Sequence, residues 1–296
     1  MDLSAINPLV LVASLMVAAV PIILAALGEL VVEKAGVLNL GVEGMMIIGA
    51  VCGFVTCVTF QSPALGFLGG ALGGMALSAV FAVLTQGLLA NQVATGLALT
   101  LFGLGLSSLL GQGYVGIKPP SVPTIGYGLD PVVILSVVAV AGMAWWLGRT
   151  RGGLILRAVG ESHDAAHALG YRVRAIRVRA ILFGGAMAGL GGAYISLVRV
   201  PQWTDGITSQ AGWIALAIVV FAGWRPWRVL LGAYLFGGVS VLQLNLQVAE
   251  VPIPVEYLSM SPYLITILVL VLMSRGGPRG IAAAPAALGQ TFHAAR

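Results

Sequence analysis

Asn39, Asn91, Gln92, Thr95 and Gln243 place four amides and a hydroxyl among long apolar runs. Amides present donors and an acceptor together, so this set suits a neutral ligand with paired hydrogen-bonding groups. Phe102 adds an aromatic face for stacking a planar ring. Asn39 and Glu43 lie in a stretch, 28–44, that also holds Glu29, Glu33 and several glycines between two apolar runs. Irregular backbone at membrane depth is tolerated only where protein or a water-filled cavity surrounds it. A broken helix would therefore bring Asn39 and Glu43 to a cavity. An ordinary turn with solvated charges accounts for the same residues. Asn91 and Gln92 serve equally well as helix caps or inter-helix hydrogen-bonding groups. Gln243 and Gln247 share one helical face, while Asn245 falls on another, which also fits a polar helix end.

A second cluster lies between Arg149 and Arg179, which holds seven of the chain's fifteen cations. Ser162 can cap a helix that starts at His163, with Asp164 in its first turn and Gly170 as its stop. The product is a helix of about two turns, with His167 exposed and alanines for close approach. His163 and His167 are four apart without a third ligand, so no metal site is expected. Cys52 and Cys57 read as small packing residues. No catalytic group and no cofactor are expected.

These residues must be positioned by a bundle in lipid. The chain of 296 residues is 59% hydrophobic and only 8% charged, against roughly 25% charged in soluble domains. Its mean hydropathy is +1.01. A spanning helix needs about 20 apolar residues. Nine stretches qualify or come close: 8–28, 41–60, 64–89, 93–111, 131–148, 179–199, 210–224, 228–247 and 259–274. The seventh and ninth are short. The fold class is all-α, a polytopic membrane helix bundle of about nine spans. Its membrane domain covers 1–274, and a disordered tail follows over 275–296. The glycine-rich run 184–192 is a packing face, because small residues let helix backbones approach.

Basic loops stay in the cytoplasm. With 149–179 inside, thirteen cations face inward, and only Lys118 and Arg199 face outward. The N-terminus is then outside and the C-terminus cytoplasmic. Trp145, Trp146, Trp224 and Trp227 are expected as interfacial anchors beside inner arginines. Prolines and glycines in 112–130 and 248–258 make stiff outer turns. The net charge of +5 belongs to inner loops, so no nucleic-acid partner is expected. The partner everywhere else is membrane lipid. No GxxxxGK[ST] phosphate loop occurs in the chain.

Five segments carry a family resemblance: EKAGVLNLGVEGMMIIGA at 33–50, RAVGESHDAAHALG at 157–170, GGAMAGLGGAYISL at 184–197, GWIALAIVVFAGWRP at 212–226, and LQLNLQ with SPYLITILVLV across 242–271. The chain resembles the permease subunits of bacterial ABC importers in the sugar and nucleoside branch, most closely the nucleoside type. The VLNLGVEGMM form favours that type over ribose or branched-chain amino acid permeases. The resemblance implies a type II-like permease in the bacterial inner membrane, paired with a second homologous permease. It also implies a cytoplasmic ATP-binding subunit and an extracytoplasmic substrate-binding lipoprotein. In that family the segment matching 157–170 is the helix docked on the ATPase. Arg157, Gly160, Glu161, Ser162, Asp164, Ala165, Ala166, Leu169 and Gly170 would then do the coupling. The family often has Glu-Asn-Pro where this chain has Glu161-Ser162-His163, and often Asn where this chain has Thr100.

No charge falls in the middle of the expected spans, which argues for a neutral solute, because an intramembrane charge is costly and usually functional. A nucleoside fits; a simple sugar or a branched-chain amino acid are alternatives within the class. An ion-coupled secondary transporter is the alternative of another class. It would need an intramembrane acid, and only Glu29, Glu33 and Glu43 could serve.

Overall fold

The structure, a computed structural model, describes residues 8–125, 128–248, 254–274 and 284–293. The expected outer-turn residues Gly126 and Pro252, and the inner cations Arg275, Arg279 and Arg296, lie outside the described residues. The helices are α1 (Pro8–Lys34), α2 (Val42–Phe60), α3 (Pro63–Ala82), α4 (Gln92–Gly111), α5 (Pro131–Arg149), α6 (Arg151–Glu161), α7 (His163–Ala168), α8 (Val173–Tyr194), α9 (Ala211–Phe221), α10 (Pro226–Val248) and α11 (Val255–Ser274). π-helical turns extend α3 through Gly87 and α8 through Arg199.

Among the described residues, seven helices are long and apolar enough to cross a bilayer: α1 to α5, α8 and α10. The sequence leads one to expect nine. The seventh candidate, 210–224, yields only the 11-residue α9. At 1.5 Å per residue it is about 16 Å long, half of a ~30 Å hydrocarbon core. The ninth candidate lies within α11, a helix of 20 residues whose side chains are described in part.

α8 is the hub, packing along α1, α2 and α3. Close approach makes this possible. A Cβ on Gly49 would overlap the backbone of Gly189, one on Gly189 the backbone of Gly70, and one on Gly70 the Cβ of Ala193. That agrees with the packing role expected of 184–192. At the far end of α8, Tyr194 donates its hydroxyl to Asp130 at 2.5 Å. Asp130 also caps α5, accepting from the amides of Val132 and Val133.

α1 is six residues longer than its apolar stretch suggests. Its last turns carry Glu29 and Glu33, and both side chains are buried rather than solvated. The Asn39 amide donates to Glu29 at 3.3 Å. The Trp224 indole donates to Glu33. Trp224 is thus a buried hydrogen-bonding partner and not an interfacial anchor, whereas Trp145 and Trp227 are exposed.

Candidate functional site

α1 ends at Lys34 and α2 begins at Val42, so the backbone between them is irregular. It does not lie at the surface. Gly41 abuts Gly96, and Gly44 abuts Leu99 and Thr100. The start of α2 is therefore level with the second and third turns of α4, roughly 6–12 Å along that helix. Protein surrounds the segment, as irregular backbone at this depth requires. Asn39 is 1% exposed and holds the turn itself: its Oδ1 accepts from the Gly41 amide at 2.9 Å. Its Nδ2 meets the Met45 sulfur at 3.4 Å.

Glu43, one turn on, faces the start of α9. Its Oε1 accepts from the Thr208 hydroxyl at 2.5 Å and the Gln210 amide at 3.1 Å. Its Oε2 accepts from the Gly212 amide at 2.7 Å. One carboxylate thus satisfies two of the unpaired N–H groups at a helix N-terminus and opposes its positive dipole end. The approach to α9 is bent to reach it: Gly206, Ser209 and Gln210 all have positive φ.

Beside this contact is a cavity of about 590 Å³, lined by Glu43, Leu97, Thr100, Leu101, Leu104, Gly206, Ser209, Gln210 and Trp213. Its size is that of a small-molecule site. Of the expected ligand residues, Glu43 lines it. Thr100 lines it too, donating its hydroxyl to the Leu40 carbonyl at 3.2 Å. The others go elsewhere. Asn91 caps α4, accepting from the Ala94 amide at 3.0 Å. Gln92 is buried, accepting from the Leu38 amide at 2.8 Å and donating to the Gln290 carbonyl at 3.3 Å. Thr95 is half-buried and Phe102 is exposed; neither lines the cavity. Gln243 is half-buried on α10, away from it. Trp213, Ser209 and Gln210 were not legible as site residues; the run GWIALAIVVF reads as a plain apolar span.

The basic loop folds as its caps suggest. Ser162 accepts from the Ala165 amide at 3.2 Å at the start of α7. Gly170 follows its end with φ +86°, where a side chain would be strained. An unexpected helix, α6, precedes it, capped by Thr150 on the Gly153 amide at 3.1 Å. The segment has two faces. Glu161, Ser162, Asp164, Ala165, Leu169 and Gly170 are exposed. Gly160, His163 and Ala166 are buried, and Arg157 is half-buried with its Nε unpartnered. Ala166 therefore belongs to the inner face and Ala165 to the outer.

The inner face is covered by the C-terminal tail. The expectation of disorder fails for residues 284–293. The Ala287 amide donates to the Gly160 carbonyl at 2.9 Å, and the Gly289 amide to the Gly36 carbonyl at 3.2 Å. Phe292 is buried against Val159, Ala166 and Val173. Its ring makes edge-type contacts with His163 and His167, with centroids 5.9 and 5.4 Å away. Arg177, fully buried, ties these parts together. It donates to the carbonyls of Ala35 (3.3 Å), Gly36 and Gln290 (2.8 Å), and to the Gln86 side chain at 3.4 Å.

Burial, with Arg177 second, pushes the His163 imidazole down to about 4; Asp164 opposes the shift. An unfolded histidine titrates near 6.5. The folded state thus binds fewer protons between these values, and its stability falls as pH drops from about 6.5 toward 4. The expected result is that hydrogen-exchange protection of the Ala287 and Gly289 amides is constant above pH 6.5 and declines below it. His163→Gln should remove that dependence. Protection that is unchanged down to pH 4 in the wild type would show that His163 does not hold the tail.

The family described as branched-chain amino acid transport system permease component matches residues 11–273. A protein of Haloferax volcanii provisionally named a glucose ABC transporter permease is 44% identical over 78% of this chain and 75% of its own. A nucleoside ABC transporter permease of Lactococcus lactis is 32% identical over 89% of this chain and 92% of its own. A guanosine ABC transporter permease of Bacillus subtilis is 32% identical over 91% and 93%. No solved structure matches the chain.

Proposed function

The chain belongs to the family of branched-chain amino acid transport system permease components and is an ABC importer permease; from that premise we propose that it carries nucleosides through the cavity between α2, α4 and α9. The supporting observation is the half-length helix α9, whose N-terminus opens on that cavity. Discontinuous helices aim their N-termini at anionic substrate groups in transporters. Here Glu43 already occupies that end. What remains for a ligand is neutral: the Thr100 oxygen as an acceptor, the Ser209 hydroxyl, the side-chain amide of Gln210 and the Trp213 ring. Those groups suit a base that stacks and a ribose that hydrogen-bonds. Two relatives named for nucleoside and guanosine transport cover nine-tenths of the chain and support the same substrate class. The Haloferax relative supports a hexose as the second reading.

In this proposal the bundle makes nine passes, the seventh formed by 200–210 together with α9. The Arg-rich loop and the C-terminus are cytoplasmic. The permease pairs with a second permease, receives solute from an extracytoplasmic binding lipoprotein, and docks an ATPase on the outer face of α7. Exposed Ala165 and Leu169 offer a small, apolar landing surface there.

The test is uptake by proteoliposomes holding the complete importer. ATP-dependent uptake of guanosine or another nucleoside is expected, with glucose and leucine poorly carried. Ala165→Trp should abolish it while the protein still inserts. Trp213→Ala should lower nucleoside uptake about tenfold, as loss of one stacking platform is worth about 1–3 kcal/mol. Glucose uptake without nucleoside uptake would move the substrate to the sugar reading. Uptake driven by an ion gradient without ATP would remove the importer class.

A further inference from the structure

A second cavity, of about 700 Å³, opens between α5, α6 and α8. It shares no lining residue with the cavity at α9. Its walls are apolar from Gly142 and Trp146 of α5, past Leu156 of α6, to Ile176 and Phe183 of α8. Two cations line it as well, Arg172 and Arg179. Both are exposed, and among the described residues neither guanidinium has a hydrogen-bond or ion-pair partner.

We propose that this groove is a binding site for an anionic phospholipid, with its phosphate on Arg172 and Arg179 and an acyl chain between α5 and α8. Three features select that occupant. The groove runs along α8 from Arg172 to Phe183, about 16 Å, which matches one leaflet of a ~30 Å hydrocarbon core. A solute the size of a nucleoside would leave most of that length empty and find almost no polar wall. Trp146 sits near the charged mouth, where indoles settle at the headgroup level. The charge is one-sided: exposed Arg149 and Arg151 sit at the α5–α6 corner, next in sequence to the lining residue Gly152, and among the described residues no acid lines the groove. Arg179, seven residues further into α8, lies about 10 Å along the groove. Its stem can follow the apolar wall while the guanidinium reaches back to the headgroup. Basic pockets between transmembrane helices hold anionic headgroups for these reasons.

The site makes the lipid a structural tie between α6, which leads into the docking helix α7, and the bundle. It predicts a headgroup preference that a generic annulus of lipid lacks. The experiment uses the purified full-length chain in detergent, incubated with equal amounts of dioleoyl-phosphatidylglycerol and dioleoyl-phosphatidylcholine, and counts retained lipid by native mass spectrometry. Phosphatidylglycerol should be retained roughly 10- to 30-fold better, the increment of two arginines at a lipid headgroup. The double variant Arg172→Gln, Arg179→Gln should retain both lipids equally. Gly142→Leu should displace both, because a side chain at Gly142 meets nothing within 4 Å on the protein and fills the groove without disturbing the fold. Equal retention by the wild type, or a preference that survives the double variant, overturns the site. So does full displacement of phosphatidylglycerol by glycerol 3-phosphate, which would make it a soluble-anion site.

Discussion

Replacing Arg177 with Met is expected to be the most damaging single change where the end of α1, α8 and the C-terminal tail meet. The guanidinium is fully buried and reaches three carbonyls and the Gln86 side chain. Two of those carbonyls, of Ala35 and Gly36, lie just past the end of α1, where a cation also meets the negative end of the helix dipole. Methionine keeps much of the volume but leaves these acceptors unpaired. A buried unsatisfied group costs about 1–3 kcal/mol, so a total loss of about 3 kcal/mol or more is expected. In a chain of this size that lowers the unfolding midpoint by roughly 6–12 °C. Lysine should not rescue it, because an ammonium cannot span acceptors arranged for a planar fork. Thermal unfolding in detergent, with hydrogen exchange at Ala287 and Gly289, gives both readouts. An unchanged midpoint with a protected tail would show that Arg177 is not what holds this region.

Glu43→Leu is expected to abolish uptake while leaving the bundle inserted. The carboxylate accepts from a hydroxyl and two amides at the start of α9. Losing all three leaves buried donors at the cavity wall and restores the positive helix end that a neutral solute does not need. At about 1–3 kcal/mol per unpaired group, the loss is at least about a hundredfold. Glu43→Gln keeps one acceptor oxygen and should lose about tenfold. The close glycine contacts among α2, α3 and α8 do not involve Glu43, so assembly with the partner subunits should persist. Measuring assembled complex and uptake on one preparation separates the outcomes. Normal uptake by Glu43→Leu would take α9 out of the solute path.

Much of the bundle was legible because lipid imposes a simple code. Runs of about 20 apolar residues can only be spanning helices, and α2, α4 and α5 begin within one residue of where those runs begin. The cap at Ser162 and the stop at Gly170 located α7, since both act within one turn. The glycines at 184–192 announced close packing, because a missing side chain has few other uses inside a membrane helix. The five matching segments carried the family.

What the sequence left open was the destination of each polar side chain. An amide is equally good as a cap, a turn lock or a ligand contact, and local spacing does not choose among them. Asn39, Asn91 and Gln92 were spent on the fold, whereas Glu43 and Thr100 reached the cavity. That choice was made by pairs far apart in the chain, such as Glu43 with Gly212 and Arg177 with Gln290. The tail illustrates it best. Its alanines and few charges look disordered alone, but Phe292 finds a buried site that α7 and α8 create only once they have packed. The sequence determined that a helical permease forms in the membrane. The tertiary structure alone decided which polar groups line the cavity beside α9, because helix packing sets which of them are used up by the fold.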